Sequence, residues 1–156
     1  MKRNLLVAIL ALTIALGLPA VAWAQSGHFV GTPTCTDEGT TVECSGKVAG
    51  LGGTTFEITV DAVGIASVEC TNPGGNVAPG QDTAVETSGT TGEQSTPRNG
   101  QFRFTGSTDN PEPLPATPTC PNAQWTPDIV DVEFSDATLT LLEDGAVSDT
   151  ITVSVS

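Results

Sequence analysis

The sequence lacks residue types on which many catalytic and sugar-binding sites depend. Among its 156 residues there are no tyrosines, two tryptophans and a single histidine, His28. A hydrolytic triad would need His28 as its base, yet this residue follows the predicted leader described below by only four positions, where chain termini are often poorly ordered. There is also no G-x-S-x-G nucleophile motif. We therefore expect no enzymatic activity and no cofactor, and a small secreted hydrolase remains only a remote alternative.

Basic residues are scarce as well. Two of the five, Lys2 and Arg3, lie at the very start, which leaves Lys47, Arg98 and Arg103 against all 18 acidic residues, a net charge of 3 − 18 = −15 after residue 24. Nucleic-acid binding needs clustered lysine and arginine, and anionic membranes repel such a chain. We expect a protein or glycan of the cell envelope as the partner, no nucleic acid, and no membrane insertion once the leader is removed.

The first 24 residues have the pattern of a secretory signal peptide. A basic start, Met1-Lys2-Arg3, precedes an apolar run over 5–21, and Ala22-Trp23-Ala24 is an A-x-A cleavage signature. Cleavage would leave a mature chain from Gln25, whose length suits a single domain over 25–156. The predicted location is extracellular or periplasmic, and the short leader and the composition indicate a bacterial protein.

The cysteines all follow the predicted leader. An even number in an oxidising compartment indicates two disulfides, and four cysteines allow three pairings. We favour one bond that brackets the turn-like segment 36–40 and one whose cysteines both adjoin proline-rich loops. Zinc is disfavoured because no two cysteines are closer than nine residues. The favoured pairs are Cys35 with Cys44 and Cys70 with Cys120.

Short alternating runs rich in valine, threonine, isoleucine and phenylalanine recur after residue 24, whereas apolar periodicity of helical length is missing. Residues 56, 58 and 60 share one apolar face of a strand, and the same alternation recurs over 66–70. Near Gly64 the phase is uncertain, so we expect a turn or bulge there. In a further strand, Val130, Val132 and Phe134 should face the core.

The C-terminal end predicts a β-hairpin. Two β-rich runs, 138–142 and 147–155, are joined through Glu143-Asp144-Gly145-Ala146, and Asp-Gly suits a tight type I′ turn. With the other runs, this gives about eight or nine strands. The predicted fold class is all-β, an antiparallel immunoglobulin-like β-sandwich preceded by the cleaved signal peptide.

Two loops rich in proline and glycine, 72–80 and 110–118, interrupt the strand pattern and adjoin the cysteines of the favoured long-range pair. Rigid loops of this kind stabilise a domain by limiting its unfolded state. They can also form a binding surface at one end of a sandwich. Trp125 is expected to pack in the core, or to stack on a ligand if it is exposed. The candidate ligand surface consists of Trp125, Asn72, Asn76 and Asn110.

Carboxylates crowd one predicted strand, and calcium prefers several oxygen ligands. There is no D-x-[DN]-x-[DN]-G loop, and alternation places two of these carboxylates on a solvated strand face. A hydrophilic surface is therefore the favoured interpretation, and we predict no metal site. The weak candidates for one are Asp128, Asp131, Glu133 and Asp136.

The combined expectation is an exported, non-catalytic structural or protein-interaction module of a bacterial cell envelope or extracellular space. The alternative is an extracellular module that binds glycan or calcium.

Overall fold

The computed structural model describes residues 26–156, so the predicted signal peptide over 1–24 lies outside the described part of the chain. The described elements are ten strands and one four-residue helical segment. In chain order they are β1 (His28–Phe29), β2 (Thr34–Asp37), β3 (Val42–Ala49), β4 (Thr55–Thr71), β5 (Val77–Pro79), β6 (Thr83–Thr90), β7 (Gln94–Ser95), β8 (Gln101–Ser107), α1 (Ala116–Thr119), β9 (Thr126–Glu143) and β10 (Ala146–Ser154).

The strands form two antiparallel sheets, which confirms the all-β sandwich architecture. In sheet A, β3 pairs with β8 along one edge and with β1 and β2 along the other. In sheet B, the order is β10, β9, β4, and the far edge of β4 pairs in turn with β7, β6 and β5. The structure has ten strands where eight or nine were predicted, because several short strands pair with the same edge of a longer strand.

The core lies between the sheets and is built largely by two long strands of sheet B. β4 has 17 residues and β9 has 18, and they pair along almost their whole length. Every even-numbered residue of β4 from 56 to 70 is buried, as strand periodicity requires for one inward face. The largest fully buried apolar side chains include Phe56, Ile58, Leu139 and Leu141.

The bulge expected near Gly64 is present, but it lies in the partner strand β9, and β4 itself makes no turn. The strand keeps its phase through Gly64, and the register shifts opposite it instead, where β9 carries one extra residue, Ser135, between Phe134 and Asp136. Glycine is required at this point for space: a Cβ atom on Gly64 would lie 2.7 Å from the carbonyl oxygen of Glu133. The glycine therefore marks close backbone approach and not a chain reversal.

A second bulge in β9 corrects the prediction for Val130. Ile129 and Asp131 pair with consecutive residues of β4, so Val130 is the extra residue and turns outward. Val132 and Phe134 are buried as expected, whereas Val130 is 48% exposed. A bulge shifts the alternation of inward and outward side chains by one residue. A prediction that assumes strict alternation therefore places Val130 on the wrong face.

Backbone hydrogen bonds close the sandwich at both sides. On one side the Ser156 N–H donates to the carbonyl of Cys35 at 3.1 Å, and the Val132 N–H donates to the carbonyl of Gly39 at 2.8 Å. On the other side the Asp109 N–H donates to the carbonyl of Ser88 at 2.9 Å. These contacts cover part of the sheet edges, which would otherwise be open to pairing with other chains.

The disulfide pairing is confirmed: Cys35 is bonded to Cys44, and Cys70 to Cys120. The first bond joins directly opposed residues of the β2–β3 hairpin, and the second joins β4 to the end of α1. The predicted C-terminal hairpin is also present. Asp144 and Gly145 have φ of 48° and 80°, the positive values that a type I′ turn needs at both central positions.

Candidate functional site

The outward face of sheet B is divided into two chemically different halves. In the half near β10, directly paired residues form a row of threonines across four strands, Thr90, Thr59, Thr140 and Thr150. Threonine suits an exposed sheet surface because its branched side chain favours strand geometry and its hydroxyl is solvated. One strongly exposed valine, Val147, lies at the end of this half opposite Leu142, and the rest of the half is explained by strand propensity and solvation.

The other half carries an apolar band, defined as Val63, Ile65, Val77 and Val130. Val63 and Ile65 are 43% and 49% exposed, and Val77 and Val130 are 57% and 48% exposed. Outward positions elsewhere on β4 hold threonine, serine, aspartate or glutamate. The band exposes on the order of 300 Å² of apolar surface, the size of the largest patch on a typical soluble domain, and such patches are often functional.

Two adjoining depressions follow the band. Val63 and Ile65 line one of about 400 Å³ together with Ala84, and Val77 and Val130 line another of about 410 Å³ beside Ser67. From residue 63 to residue 69 the band follows β4 for roughly 20 Å at about 3.3 Å per residue. The surface is therefore elongated and shallow, a shape that suits a protein segment better than a small enclosed ligand.

Carboxylates surround the apolar band. Val63 is paired with Glu86 on one side and Asp136 on the other, and Ile65 is paired with Glu133. Glu69 and Asp82 line the depression that contains Val77 and Val130. Asp131 is paired with Ser67, which lines the same depression. All six side chains are exposed.

The three basic residues of the described chain lie elsewhere. Lys47 and Arg103 are paired across β3 and β8 in sheet A, and Arg98 follows β7. Sheet A thus carries two positive charges side by side, while the outward face of sheet B around the apolar band is acidic.

The candidate ligand surface predicted from the sequence is only partly assembled. Asn72 and Asn76 lie together in the β4–β5 turn, where Oδ1 of Asn72 accepts the N–H groups of Gly74 and Asn76 at 2.9 Å each. Asn110 lies in another setting, where its Oδ1 accepts the hydroxyl of Thr40 at 2.7 Å. Trp125 is half-buried and packs against the core, as expected of it by default.

The weak metal candidates are spread along β9. Asp128, Asp131, Glu133 and Asp136 pair with four different positions of β4 between 69 and 63, so the first and last are separated by about 20 Å along the sheet. Within residues 26–156, no group of three or more histidine, cysteine, aspartate or glutamate side chains is arranged to hold a metal ion.

An open acidic cleft of about 380 Å³ lies at the β4–β6 side of the sandwich. Its lining includes Asp61, Glu86, Asp109, Asn110 and Glu112. Asn110 and its partner Thr40 also line a second depression, together with prolines of the loop before α1. Asn110 is the one residue of the predicted ligand surface that lines either depression.

A carboxylate that the sequence pattern did not single out accepts four hydrogen bonds from distant parts of the chain and from the C-terminal hairpin. Glu143, at the end of β9, is fully buried. Its Oε1 accepts the N–H groups of Gly52 at 2.7 Å and Gly53 at 3.1 Å, and its Oε2 accepts the N–H of Gly27 at 2.9 Å and the hydroxyl of Ser148 at 2.6 Å. Glu143 therefore connects the start of the described chain, the β3–β4 loop and the C-terminal hairpin.

The charge state of Glu143 follows from these contacts. Burial by itself raises the pKa of a carboxyl group, but the hydrogen bonds from Ser148, Gly52, Gly53 and Gly27 favour the ionised form, and the net pKa of Glu143 is lowered. Glycine is needed at position 27 because an added Cβ atom would lie 2.6 Å from Oε2 of Glu143. We assign Glu143 a structural role, since its oxygens are engaged by the protein itself.

The neighbouring Asp144 extends this anchoring at the surface. Its Oδ1 accepts the N–H groups of Thr54 and Thr55 at 2.9 Å each, so the turn residue that adopts positive φ also fixes the loop before β4. The Asp-Gly turn signal predicted the hairpin, but it gave no indication of these contacts with the opposite loop.

His28 is exposed on β1, and its Nδ1 lies 2.9 Å from the carbonyl oxygen of Ser26. Its ring approaches Gly50 at the start of the β3–β4 loop. A hydrolytic triad would need the His28 ring to contact a carboxylate and a hydroxyl, whereas the contact described for its ring is with a backbone carbonyl.

The two disulfides indicate an oxidising compartment, extracellular or periplasmic. None of the helical structure over residues 26–156 has the length and hydropathy to span a bilayer.

Comparisons with protein-family models, curated proteins and solved structures give no match for this chain. Fold and surface together define an acidic, disulfide-bonded β protein of two antiparallel sheets, with one outward face that carries the apolar band.

Proposed function

We propose that this chain is an exported, non-catalytic structural or protein-interaction module of a bacterial cell envelope or extracellular space. The observation that carries the proposal is the apolar band on the outward face of sheet B. Isolated apolar side chains on a surface are ordinary, but neighbouring valine and isoleucine side chains on a strand that is otherwise polar outside favour contact with another macromolecule.

Export and fold type are parts of the same proposal. The basic, apolar and A-x-A segments of residues 1–24 support cleavage before Gln25. The immunoglobulin-like type is supported by the two antiparallel sheets and by the core that lies between them. The disulfides of this chain differ from those of antibody domains. The antibody bond joins the two sheets, whereas neither bond here joins sheet A to sheet B.

A retention experiment with matched variants tests the function. Immobilised mature protein is exposed to envelope extract and culture medium of the source organism, beside a Val63→Thr/Ile65→Thr variant. These changes make the band resemble the threonine half of the same face and keep side chains that favour strands. Val147→Thr is the control, because Val147 is 63% exposed and lies in β10, away from the band.

The expected result is one or a few proteins retained by the wild type and by Val147→Thr, and lost with the double variant. Equal retention by all three proteins would contradict a docking role for the band.

A glycan- or calcium-binding module is the second candidate, and the acidic cleft beside Asn110 favours it. Carboxylates and an amide can accept and donate hydrogen bonds to sugar hydroxyls, but the cleft lining contains no aromatic side chain for stacking. Specific binding to a glycan array that Asp61→Asn abolishes, with Val77→Thr/Val130→Thr unaffected because these two residues of the band do not line the cleft, would favour this candidate over the first.

A further inference from the structure

We infer that the apolar band docks a cationic amphipathic protein segment, one that presents apolar side chains flanked by lysine or arginine. This inference rests on the proposed function and specifies the chemistry of the partner. It comes from the combination of exposed valine and isoleucine side chains with carboxylates on both sides of them along the same strands.

Carboxylates lie directly opposite both β4 residues of the band. Glu86 and Asp136 lie directly across from Val63, and Glu133 lies across from Ile65, so directly opposed side chains are about 5 Å apart at Cβ. A segment whose apolar side chains cover the band must place its neighbouring side chains against these carboxylates. Lysine and arginine side chains can form ion pairs with these carboxylates. Acidic side chains would be repelled by them, and neutral side chains would remove water from the carboxylates without replacing its hydrogen bonds.

The charge of the whole chain excludes a second copy as the favoured occupant. Two molecules that each carry about fifteen net negative charges repel each other, and face-to-face pairing of the band would bring six carboxylates against six. The paired cations Lys47 and Arg103 lie on sheet A, whose outward face carries no comparable set of exposed valines or isoleucines among the described residues.

The apolar part of the band gives the contact its location. A polycation without apolar groups would be attracted to acidic residues all around the molecule, including those of the cleft at Asp61 and Asp109. Only a segment with apolar side chains also removes Val63, Ile65, Val77 and Val130 from water. The inference therefore predicts localised binding that depends on both features of the ligand.

Three synthetic peptides of equal length serve as probes. The first is an amphipathic lysine/leucine peptide, the second replaces leucine by glutamine at the same charge, and the third replaces lysine by glutamate. Binding to the folded, disulfide-bonded mature protein is mapped by two-dimensional NMR of backbone amides and quantified by titration. We expect the first peptide to shift amides of 63–67 and 130–136, the second to give weak and dispersed shifts, and the third to give none.

Two pairs of variants separate the apolar from the electrostatic contribution. Val63→Thr/Ile65→Thr should weaken binding of the lysine/leucine peptide at least tenfold, and Val147→Thr should leave it unchanged. Glu86→Gln/Glu133→Gln should weaken it about threefold to tenfold, the range for two exposed ion pairs. Glu43→Gln/Glu93→Gln removes the same charge from the outward face of sheet A and from the β6–β7 loop, both away from the band, and should have under a twofold effect. Thermal melts confirm that each variant is folded.

Salt dependence completes the test. Raising NaCl from 0.15 M to 0.5 M shortens the Debye length from about 8 Å to about 4 Å and should weaken the lysine/leucine peptide at least fivefold. Equal binding of the glutamate/leucine peptide, or no effect of the Glu86/Glu133 variant, would overturn the cationic inference while the docking function of the band remains. Shifts spread evenly over the surface, or self-association of the protein through the band in light scattering, would also overturn it.

Discussion

Replacing Glu143 with glutamine should lower the melting temperature by about 10 °C at neutral pH. A neutral carboxamide has one acceptor oxygen and one N–H₂ group in place of two acceptor oxygens. If its oxygen keeps the N–H groups of Gly52 and Gly53, its N–H₂ group faces the N–H of Gly27 and leaves that donor unpaired, while Ser148 can turn to accept. Packing changes little because the two side chains have nearly the same shape.

The magnitude follows from two contributions. An unpaired buried donor costs about 1–3 kcal/mol, and converting the remaining charge-assisted hydrogen bonds to neutral ones costs about 1 kcal/mol more, so we take about 3 kcal/mol in total. For a domain of about 130 residues the unfolding entropy is near 280 cal/mol/K, which converts 3 kcal/mol to about 10 °C. Asp144→Asn is the matched control. Asp144 is exposed, and asparagine accepts hydrogen bonds and tolerates positive φ, so we expect a shift below about 3 °C.

The stabilisation that the Glu143 carboxylate provides depends on pH. The pKa of Glu143 is lowered in the folded protein from its usual 4.5, so the carboxylate contributes its full stabilisation above pH 4.5. That contribution is lost as pH falls below 4.5 through the folded pKa. Calorimetry at pH 7, 5 and 3 should therefore show a gap between wild type and Glu143→Gln that is constant at the first two values and smaller at the third. A variant within 2 °C of wild type at pH 7, or a gap that does not change with pH, would refute the reasoning.

Three further predictions address the fold and the acidic surface. Gly64→Ala should destabilise the protein by about 1–3 kcal/mol in urea unfolding, because its Cβ would lie 2.7 Å from a backbone oxygen, while Gly74→Ala in the exposed turn should cost under about 1 kcal/mol. Removing the Cys70–Cys120 disulfide, which closes a loop of 50 residues, should cost about 1.5 kcal/mol more than removing the hairpin disulfide, which closes nine, and the reverse order would count against the chain-entropy argument. Millimolar calcium and an ionic-strength-matched sodium control should raise the melting temperature by similar small amounts; a shift of several degrees with calcium alone, abolished by Asp131→Asn, would reveal a specific site.

Much of the fold follows from local sequence signals. The alternation of residues 56–60 and 66–70 and the Asp-Gly turn predicted strands and a hairpin that the structure confirms, because these signals depend on strand period and turn geometry alone. The disulfide pairs were also predictable from nearby sequence. One pair brackets the turn-like segment 36–40, and both cysteines of the other pair adjoin loops rich in proline and glycine. Where the sequence reasoning failed, the cause was a contact with a distant strand: Gly64 is required by the approach of β9, and the bulge at Val130 exists only relative to β4.

The apolar band could not be identified from the sequence because the alternation of inward and outward residues around Gly64 was uncertain. Once β4 is known to continue through Gly64, Val63 and Ile65 fall on the outward side with Asp61 and Ser67, and the apolar band becomes visible in the sequence. Glu143 was beyond local reasoning altogether. Its partners at Gly27 and Gly52 are 116 and 91 residues away in the chain, and only the closed sandwich brings their N–H groups to its carboxylate.

The measurement that tests the docking function most directly is site-specific photo-crosslinking in the source organism. A benzoylphenylalanine is incorporated in place of Ile65 in one strain and in place of Thr152, on the threonine half of the same face, in another. The account predicts a discrete adduct with a protein from position 65, suppressed by added wild-type protein and not by the Val63→Thr/Ile65→Thr variant, and no adduct from position 152. No adduct from either position, or the same adducts from both, would contradict the claim that the apolar band is the docking surface.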